Sequence, residues 1–142
     1  MKDSCVARFS VSLNKGLLRQ LDKMVRKKGY DNRSLAISDM VRDQLVGHRL
    51  DDVDAAAVGT VTLVFDHHKT HVQETLTDLQ HDHGGMIIST MHVHLDHHNC
   101  LEVLVVRGKA GEIKTLADRL IGARGVKHGK LSITTTGRDL SC

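Results

Sequence analysis

The alternation of apolar and polar residues defines the first part of the chain. Between Val6 and Leu13 the two classes alternate with a period of two, which predicts a strand with one apolar face. Apolar stripes of helical spacing follow at 17–25 and 37–45, and Asn14 and Gly29 have the residue types that begin and end the first helix. Residues 1–50 are therefore predicted to form one strand and two helices.

The rest of the chain follows a different order, strand, helix, strand, strand, helix, strand. The predicted strands are Val58–Phe65, Met86–Leu95, Cys100–Arg107 and Val126–Thr135, and the predicted helices are Lys69–Gln80 and Gly111–Ala123. This β-α-β-β-α-β order is typical of the ferredoxin-like fold. The fold class is α+β, with an N-terminal domain at 1–50 and a second domain at 58–136.

A single strand in the first domain has no partner for its backbone groups, which must nevertheless be satisfied. The same strand of a second copy is the simplest partner, giving a two-stranded ribbon with Arg8, Ser10 and Ser12 on its outer face. Such a ribbon fits the major groove of DNA, where Arg and small hydroxyl side chains read base edges. The alternative is an ordinary solvated strand face.

Charge favours the DNA interpretation. Residues 1–50 hold 11 Lys and Arg against 5 Asp and Glu, a net charge of +6, whereas residues 51–142 hold 9 against 12, a net charge of −3. A basic N-terminal region followed by an acidic remainder is typical of a protein that binds a polyanion.

A candidate metal site lies in the second domain, at His92, His94 and Cys100. Residues i and i+2 of a strand share a face, and a tight turn after Leu95 would return Cys100 beside them. Two imidazoles and a thiolate suit nickel, copper, zinc or cobalt and exclude calcium and magnesium. The alternative is that this spacing arises from composition alone, because nine of the 11 histidines lie between His67 and His98.

Three protein ligands leave a coordination position open. His81 and His83 are the candidates for a fourth ligand. If both lie far from the hairpin within one subunit, a neighbouring copy supplies this ligand, which would couple metal binding to assembly. Taken individually, His67, His68, His83 and His98 are expected on the solvated surface.

Other function classes fit less well. An enzyme is not expected, because no His-Glu-x-x-His motif or general base accompanies the hairpin. A role as a nickel or copper chaperone or storage protein would explain the histidines but not the positive charge of residues 1–50. The sequence has neither a run of about 18 apolar residues nor a signal peptide, and three cysteines suit a reducing compartment, so we expect a cytoplasmic protein with no membrane partner.

The chain resembles the nickel-responsive transcriptional repressors over nearly its whole length. The resemblance rests on Gly29–Ser34 within a strand-helix-helix segment, on His92-Val93-His94 with Cys100-Leu101-Glu102, and on Arg124–Gly129. It implies a ribbon-helix-helix DNA-binding domain joined to an ACT-like nickel-binding domain, assembled as a homotetramer (a dimer of dimers) that binds a palindromic double-stranded DNA operator when it holds Ni²⁺. The expected target is genes for nickel uptake or nickel-related functions.

The resemblance also implies roles for individual residues. The square-planar nickel ligands are His92, His94, Cys100 and, from a neighbouring subunit, His81. The DNA-contacting residues are Arg8, Ser10 and Ser12 on the strand, Arg33 and Ser34 at a helix N-terminus, and Lys69 in the regulatory domain. The chain departs from the family where serines replace strand threonines and where Leu35 replaces an acidic ligand of an interdomain potassium ion.

Overall fold

The computed structural model describes residues 5–69, 71–138 and 140 of the chain. Within these ranges the elements, in chain order, are α1 (Lys15–Lys28), α2 (Arg33–Leu50), β1 (Ala56–Asp66), α3 (Val72–Asp82), β2 (Ile87–His94), β3 (Asn99–Lys109), α4 (Ala110–Ile121) and β4 (Val126–Thr135). The described residues divide into two compact units, residues 5–45 with Leu140 and residues 46–138. None of the helices in the described ranges is long and apolar enough to cross a membrane.

In the first unit, local signals set both ends of α1. The side chain of Asn14 accepts a hydrogen bond from the Gly16 N–H at 2.7 Å, which satisfies a free donor at the helix start. Gly29 adopts a left-handed conformation (φ +75°), and the following Tyr30 N–H donates to the Val25 carbonyl at 3.0 Å. Both predicted caps are confirmed.

Residues 6–14 lie in neither helix nor strand in the single chain. The predicted strand needs a second copy to complete its hydrogen bonds, so the ribbon stays a prediction. Its apolar residues are open to solvent, since Phe9 is 75% exposed and Val11 61% exposed.

The second unit contains one antiparallel sheet in the order β2-β3-β1-β4. Strand β3 lies between β1 and β2, which confirms the split β-α-β arrangement predicted from the order of elements. Burial alternates along β1 and β3, because one face of the sheet packs against the helices, chiefly α4. The core is aliphatic except for Phe65 and Cys100, and includes Leu63, Leu104, Ile113, Leu116 and Leu120.

The largest difference between predicted and observed boundaries is at the start of α3. Helix α3 begins at Val72 rather than Lys69, because His71 has a left-handed backbone (φ +67°) immediately before it. Lys69 instead lies in the turn after β1, where its N–H donates to the Asp66 carbonyl at 3.1 Å.

Candidate metal centre

The β2–β3 hairpin aligns the predicted ligands on one face of the sheet. His94 lies opposite Cys100, and His92 lies opposite Glu102. The turn is short, because the Leu95 N–H donates to the Asn99 carbonyl at 2.9 Å and so closes it. The hairpin predicted from the spacing is confirmed.

Cys100 is fully buried and lies between two imidazoles. Its Sγ is 3.3 Å from His67 Nδ1 and 3.4 Å from His94 Nδ1. The candidate ligand atoms of these three residues all lie within 4.8 Å of one another. A thiol with two imidazoles at this separation has the donor set of a borderline-soft transition metal.

His92 lies next to this cluster but has different contacts. Its ring is 5.1 Å from that of His94 and 5.9 Å, edge-on, from the ring of Phe65. Its Nδ1 is 3.5 Å from Glu102 Oε2, and the other oxygen of Glu102 accepts a hydrogen bond from Gln80 Nε2 at 2.5 Å. A carboxylate on one ring nitrogen orients the imidazole and leaves Nε2 available to a metal.

The electrostatic environment of Cys100 favours the neutral thiol. Burial raises the pKa of Cys100, and the negative charges of Asp66, Asp96 and Glu102 raise it further. Because only the thiolate binds metal, a cation must displace the thiol proton. The site therefore needs a strongly thiophilic ion, and its affinity should fall on acidification.

His67 belongs to this cluster, although no local pattern in the sequence indicates it. The prediction that His67 lies on the solvated surface is wrong, because it is partly buried beside Cys100. Strands β1 and β3 pair as far as Asp66 and Asn99. His67 follows Asp66 directly, so it lies close to Cys100. Its position after a strand was visible in the sequence, but the register that pairs Asp66 with Asn99 was not.

Neither His81 nor His92 belongs to the group of ligand atoms that meet within 4.8 Å among the described residues. His81 lies exposed near the C-terminal end of α3. Gln80, the residue before His81, donates a hydrogen bond to Glu102. Because Glu102 also contacts His92, this bond connects α3 to His92.

The predicted DNA-contacting residues lie in both units. On the segment before α1, Arg8, Ser10 and Ser12 are exposed. Arg33 begins α2, followed by Ser34, and the guanidinium of Arg33 donates to both carboxylate oxygens of Asp22, at 2.7 and 2.9 Å.

Lys69 lines an open groove of about 620 Å³ in the second unit. Arg124 lies in the same groove, so two cationic side chains border one concave surface. Arg124 stands out in the sequence only as part of the Arg124–Gly129 motif, since nothing local indicates that it approaches Lys69.

Comparison with known proteins extends these observations. Residues 58–134 match the family model described as the NikR C-terminal nickel-binding domain. A relative from Geobacter sulfurreducens is 56% identical over 94% of this chain and 96% of its own length. Relatives from Nitratidesulfovibrio vulgaris strain Miyazaki F (52% identical over 94% of this chain and 96% of theirs) and Thermococcus onnurineus (51% over 95% and 98%) are similarly close. All three bear the provisional name of nickel-responsive regulator.

Proposed function

Because this chain belongs to the family of nickel-responsive regulators, we propose that it is a repressor that binds a palindromic DNA operator when loaded with Ni²⁺. The genes it controls are those for nickel uptake or nickel-related functions. The carrying observation is the buried Cys100 thiol against the His94 imidazole, on a hairpin whose outer strand β2 is an edge of the sheet. At an edge, another protomer can supply a further ligand.

The proposed nickel ligands are His92, His94 and Cys100 of one protomer, with His81 of a neighbouring protomer. The first three share one face of the hairpin, and Glu102 orients His92. A bound nickel ion supplies a cross-link between protomers, so loading favours one assembly over others.

The surface of the β2 edge supports assembly into a dimer of dimers. Residues that alternate with His92 and His94 project from the face of the sheet opposite to the one that α4 covers. Met91 is 63% exposed there and Val93 37% exposed. Exposed apolar side chains on a sheet face are typical of a surface that another protein copy covers.

The DNA-binding surface is proposed to form from two N-terminal segments. In each chain an apolar groove of about 650 Å³ lies between residues 9–13 and helices α1 and α2. The groove is lined by Phe9, Val11, Leu13, Leu17, Leu21, Met24, Ile37, Met40 and Val41, with Gln20. Pairing with a second copy would bury this apolar surface and leave Arg8, Ser10 and Ser12 on the outer face, where they read bases.

Contacts to the DNA backbone are proposed at two further places. Arg33 and Ser34 lie in the first turn of α2, where free backbone N–H groups attract phosphate. Lys69, with Arg124 across the same groove, presents positive charge that would neutralise phosphates. The proposed location is the cytoplasm, whose reducing conditions keep Cys100 available as a ligand.

The decisive test is the metal dependence of DNA binding. Binding sequences are first selected from a random duplex library with the nickel-loaded, full-length protein. The affinity of the selected duplex is then measured by fluorescence anisotropy with and without nickel, at fixed salt. We expect tighter binding with nickel, and equal affinities in the two states would reject the proposal.

A second test separates this proposal from a chaperone or storage protein. We expect Arg8→Ala to weaken specific DNA binding by about 10- to 100-fold, the typical value of a base contact, while nickel binding is unchanged. Arg107→Ala, at an exposed position on β3, serves as the matched control and should leave both unchanged. Full DNA affinity in the Arg8 variant would argue against the ribbon as the reading surface.

A further inference from the structure

An ion pair between Asp22 and Arg33 joins the middle of α1 to the first residue of α2. Arg33 Nε donates to Asp22 Oδ1 at 2.7 Å, and Arg33 Nη2 donates to Asp22 Oδ2 at 2.9 Å. Two parallel hydrogen bonds of this kind define both the position and the plane of the guanidinium. Arg33 is therefore held in one orientation by the protein itself.

This contact uses one edge of the guanidinium and directs another edge away from Asp22. Of the five N–H groups of an arginine, one on Nε and one on Nη2 point at the carboxylate, and the remaining three point elsewhere in the same plane. The edge formed by Nη1 and Nη2 has the fork geometry that matches two oxygens of a phosphate. One arginine can thus hold a carboxylate and a phosphate at the same time.

The two side chains differ in their access to solvent. The side chain of Arg33 is 54% exposed, whereas that of Asp22 is only 30% exposed. The guanidinium is therefore the more accessible member of the pair. An anion that approaches from solvent can reach Arg33 without displacing the carboxylate.

The surroundings of Asp22 keep a positive charge. The hydrogen bonds from Arg33 lower the pKa of Asp22, and the positive charges of Arg33 and Arg26 lower it further, against the opposing effect of burial. Asp22 is therefore ionised at neutral pH, with two positive charges close to one negative charge. The pair leaves this surface attractive to phosphate.

We propose that Asp22 is a positioning residue for DNA binding, which holds the Arg33 guanidinium ready to donate to a backbone phosphate. This role rests on the proposed function, in which Arg33 contacts the DNA backbone. A freely moving arginine must give up many rotamers when it binds, and ordering one long side chain weakens binding severalfold. The ion pair removes most of that loss, because Arg33 is already ordered before DNA arrives.

Charge alone would have the opposite effect. Asp22 carries a negative charge beside a surface that binds a polyanion, so a carboxylate that only repelled DNA or masked Arg33 would weaken binding. Its removal would then strengthen binding to any duplex, whereas removal of a positioning residue weakens it. The sign of the change in Asp22→Asn therefore separates the two roles.

The test measures the DNA affinity of the nickel-loaded, full-length protein at fixed salt, for the selected duplex and for a duplex of scrambled sequence. We expect Asp22→Asn to weaken binding to both duplexes by about three- to tenfold, the range for ordering one long side chain. The ratio of the two affinities should stay unchanged, because a phosphate contact carries no sequence information. Asp43→Asn makes an equal change of charge at an exposed position on α2 and, as the control, should not weaken binding.

A second background shows whether Asp22 acts through Arg33. In Arg33→Ala no guanidinium is left to position, so the further change Asp22→Asn should cause no additional loss of affinity. Denaturant unfolding should be little changed in Asp22→Asn, because an exposed ion pair contributes little to stability. Unchanged or tighter DNA binding by Asp22→Asn, or an equal loss in the Arg33→Ala background, would overturn the positioning role.

Failure of the proposed function would give a different result. It would appear as an unmodified protein whose DNA affinity does not respond to nickel. Failure of the positioning role would appear in a nickel-responsive protein, as an Asp22→Asn variant that binds DNA as tightly as the unmodified protein or more tightly.

Discussion

The carboxylate of Glu102 is a sensitive position for testing how the nickel site is organised. It is only 6% exposed, and its two oxygens face two different side chains, Gln80 Nε2 at 2.5 Å and His92 Nδ1 at 3.5 Å. Glu102→Gln keeps the volume but replaces one acceptor oxygen with a donor group. Either Gln80 or His92 must therefore lose its acceptor.

The magnitude follows from these contacts. Loss of a partner that orients a metal-binding histidine typically costs 10- to 100-fold in metal affinity, or about 1.4–2.7 kcal/mol. The unmatched donor also destabilises the metal-free protein, by about 1–3 kcal/mol for a buried group. We therefore expect weaker nickel binding and a smaller free energy of unfolding, with the thiolate-to-nickel absorption band retained because Cys100 is unchanged.

The assay is nickel titration against a competing chelator, together with denaturant unfolding of the metal-free protein. Glu112→Gln is the matched control, because Glu112 is exposed on α4 and its substitution should change neither quantity. If the nickel affinity of Glu102→Gln were within about twofold of that of the unmodified protein, Glu102 would not be orienting a nickel ligand. The main structural evidence that His92 is a nickel ligand would then be lost.

The other predictions concern stability. Leu104→Ala removes a fully buried side chain and should lower the free energy of unfolding by about 2–5 kcal/mol in denaturant titrations; a smaller loss would mean that the core closes around the gap. Gly59→Ala would put Cβ 2.5 Å from the Ser132 carbonyl oxygen of β4, and we expect a cost of about 1–3 kcal/mol by thermal or chemical unfolding, whereas an unchanged value would show that the strands separate easily. Hydrogen bonds from the Asn99 side chain and from backbone N–H groups lower the pKa of Asp96 from 3.8 to about 2. The contribution of Asp96 to stability is thus present above pH 3.8 and lost as the pH falls toward 2. Asp96→Asn should therefore be less stable than the unmodified protein at neutral pH, and the difference in the free energy of unfolding should shrink in acid. A difference independent of pH would contradict this.

Much of the fold was predictable because it depends on local signals. The apolar residues of β1 and β3 recur with a period of two, and Asn14 and Gly29 are suited to the two ends of α1. These preferences act between neighbours in the sequence, so they can be recognised without the partner elements. The helix start at Lys69 was wrong because the left-handed backbone of His71 has no comparable sequence signal.

The hairpin part of the candidate site was predictable for the same reason. His92, His94 and Cys100 lie within one hairpin, so their common face follows from the strand period and a short turn. The roles of His81 across an interface and of Arg8 on DNA stay predictions, since both require molecules beyond a single chain.

The sequence by itself determined the order of the elements, the faces of the strands and the hairpin that carries a thiol and two imidazoles. Only the tertiary structure decided that His67, 33 residues away from Cys100, lies against its sulfur, and that Gln80 reaches Glu102 from α3. The physical reason is that periodicity fixes which way a side chain points, and the order of elements predicts which strands are neighbours, but neither fixes the register of the pairing or the placement of a helix. Those depend on long-range contacts between β1 and β3 and on packing of the helices over the sheet.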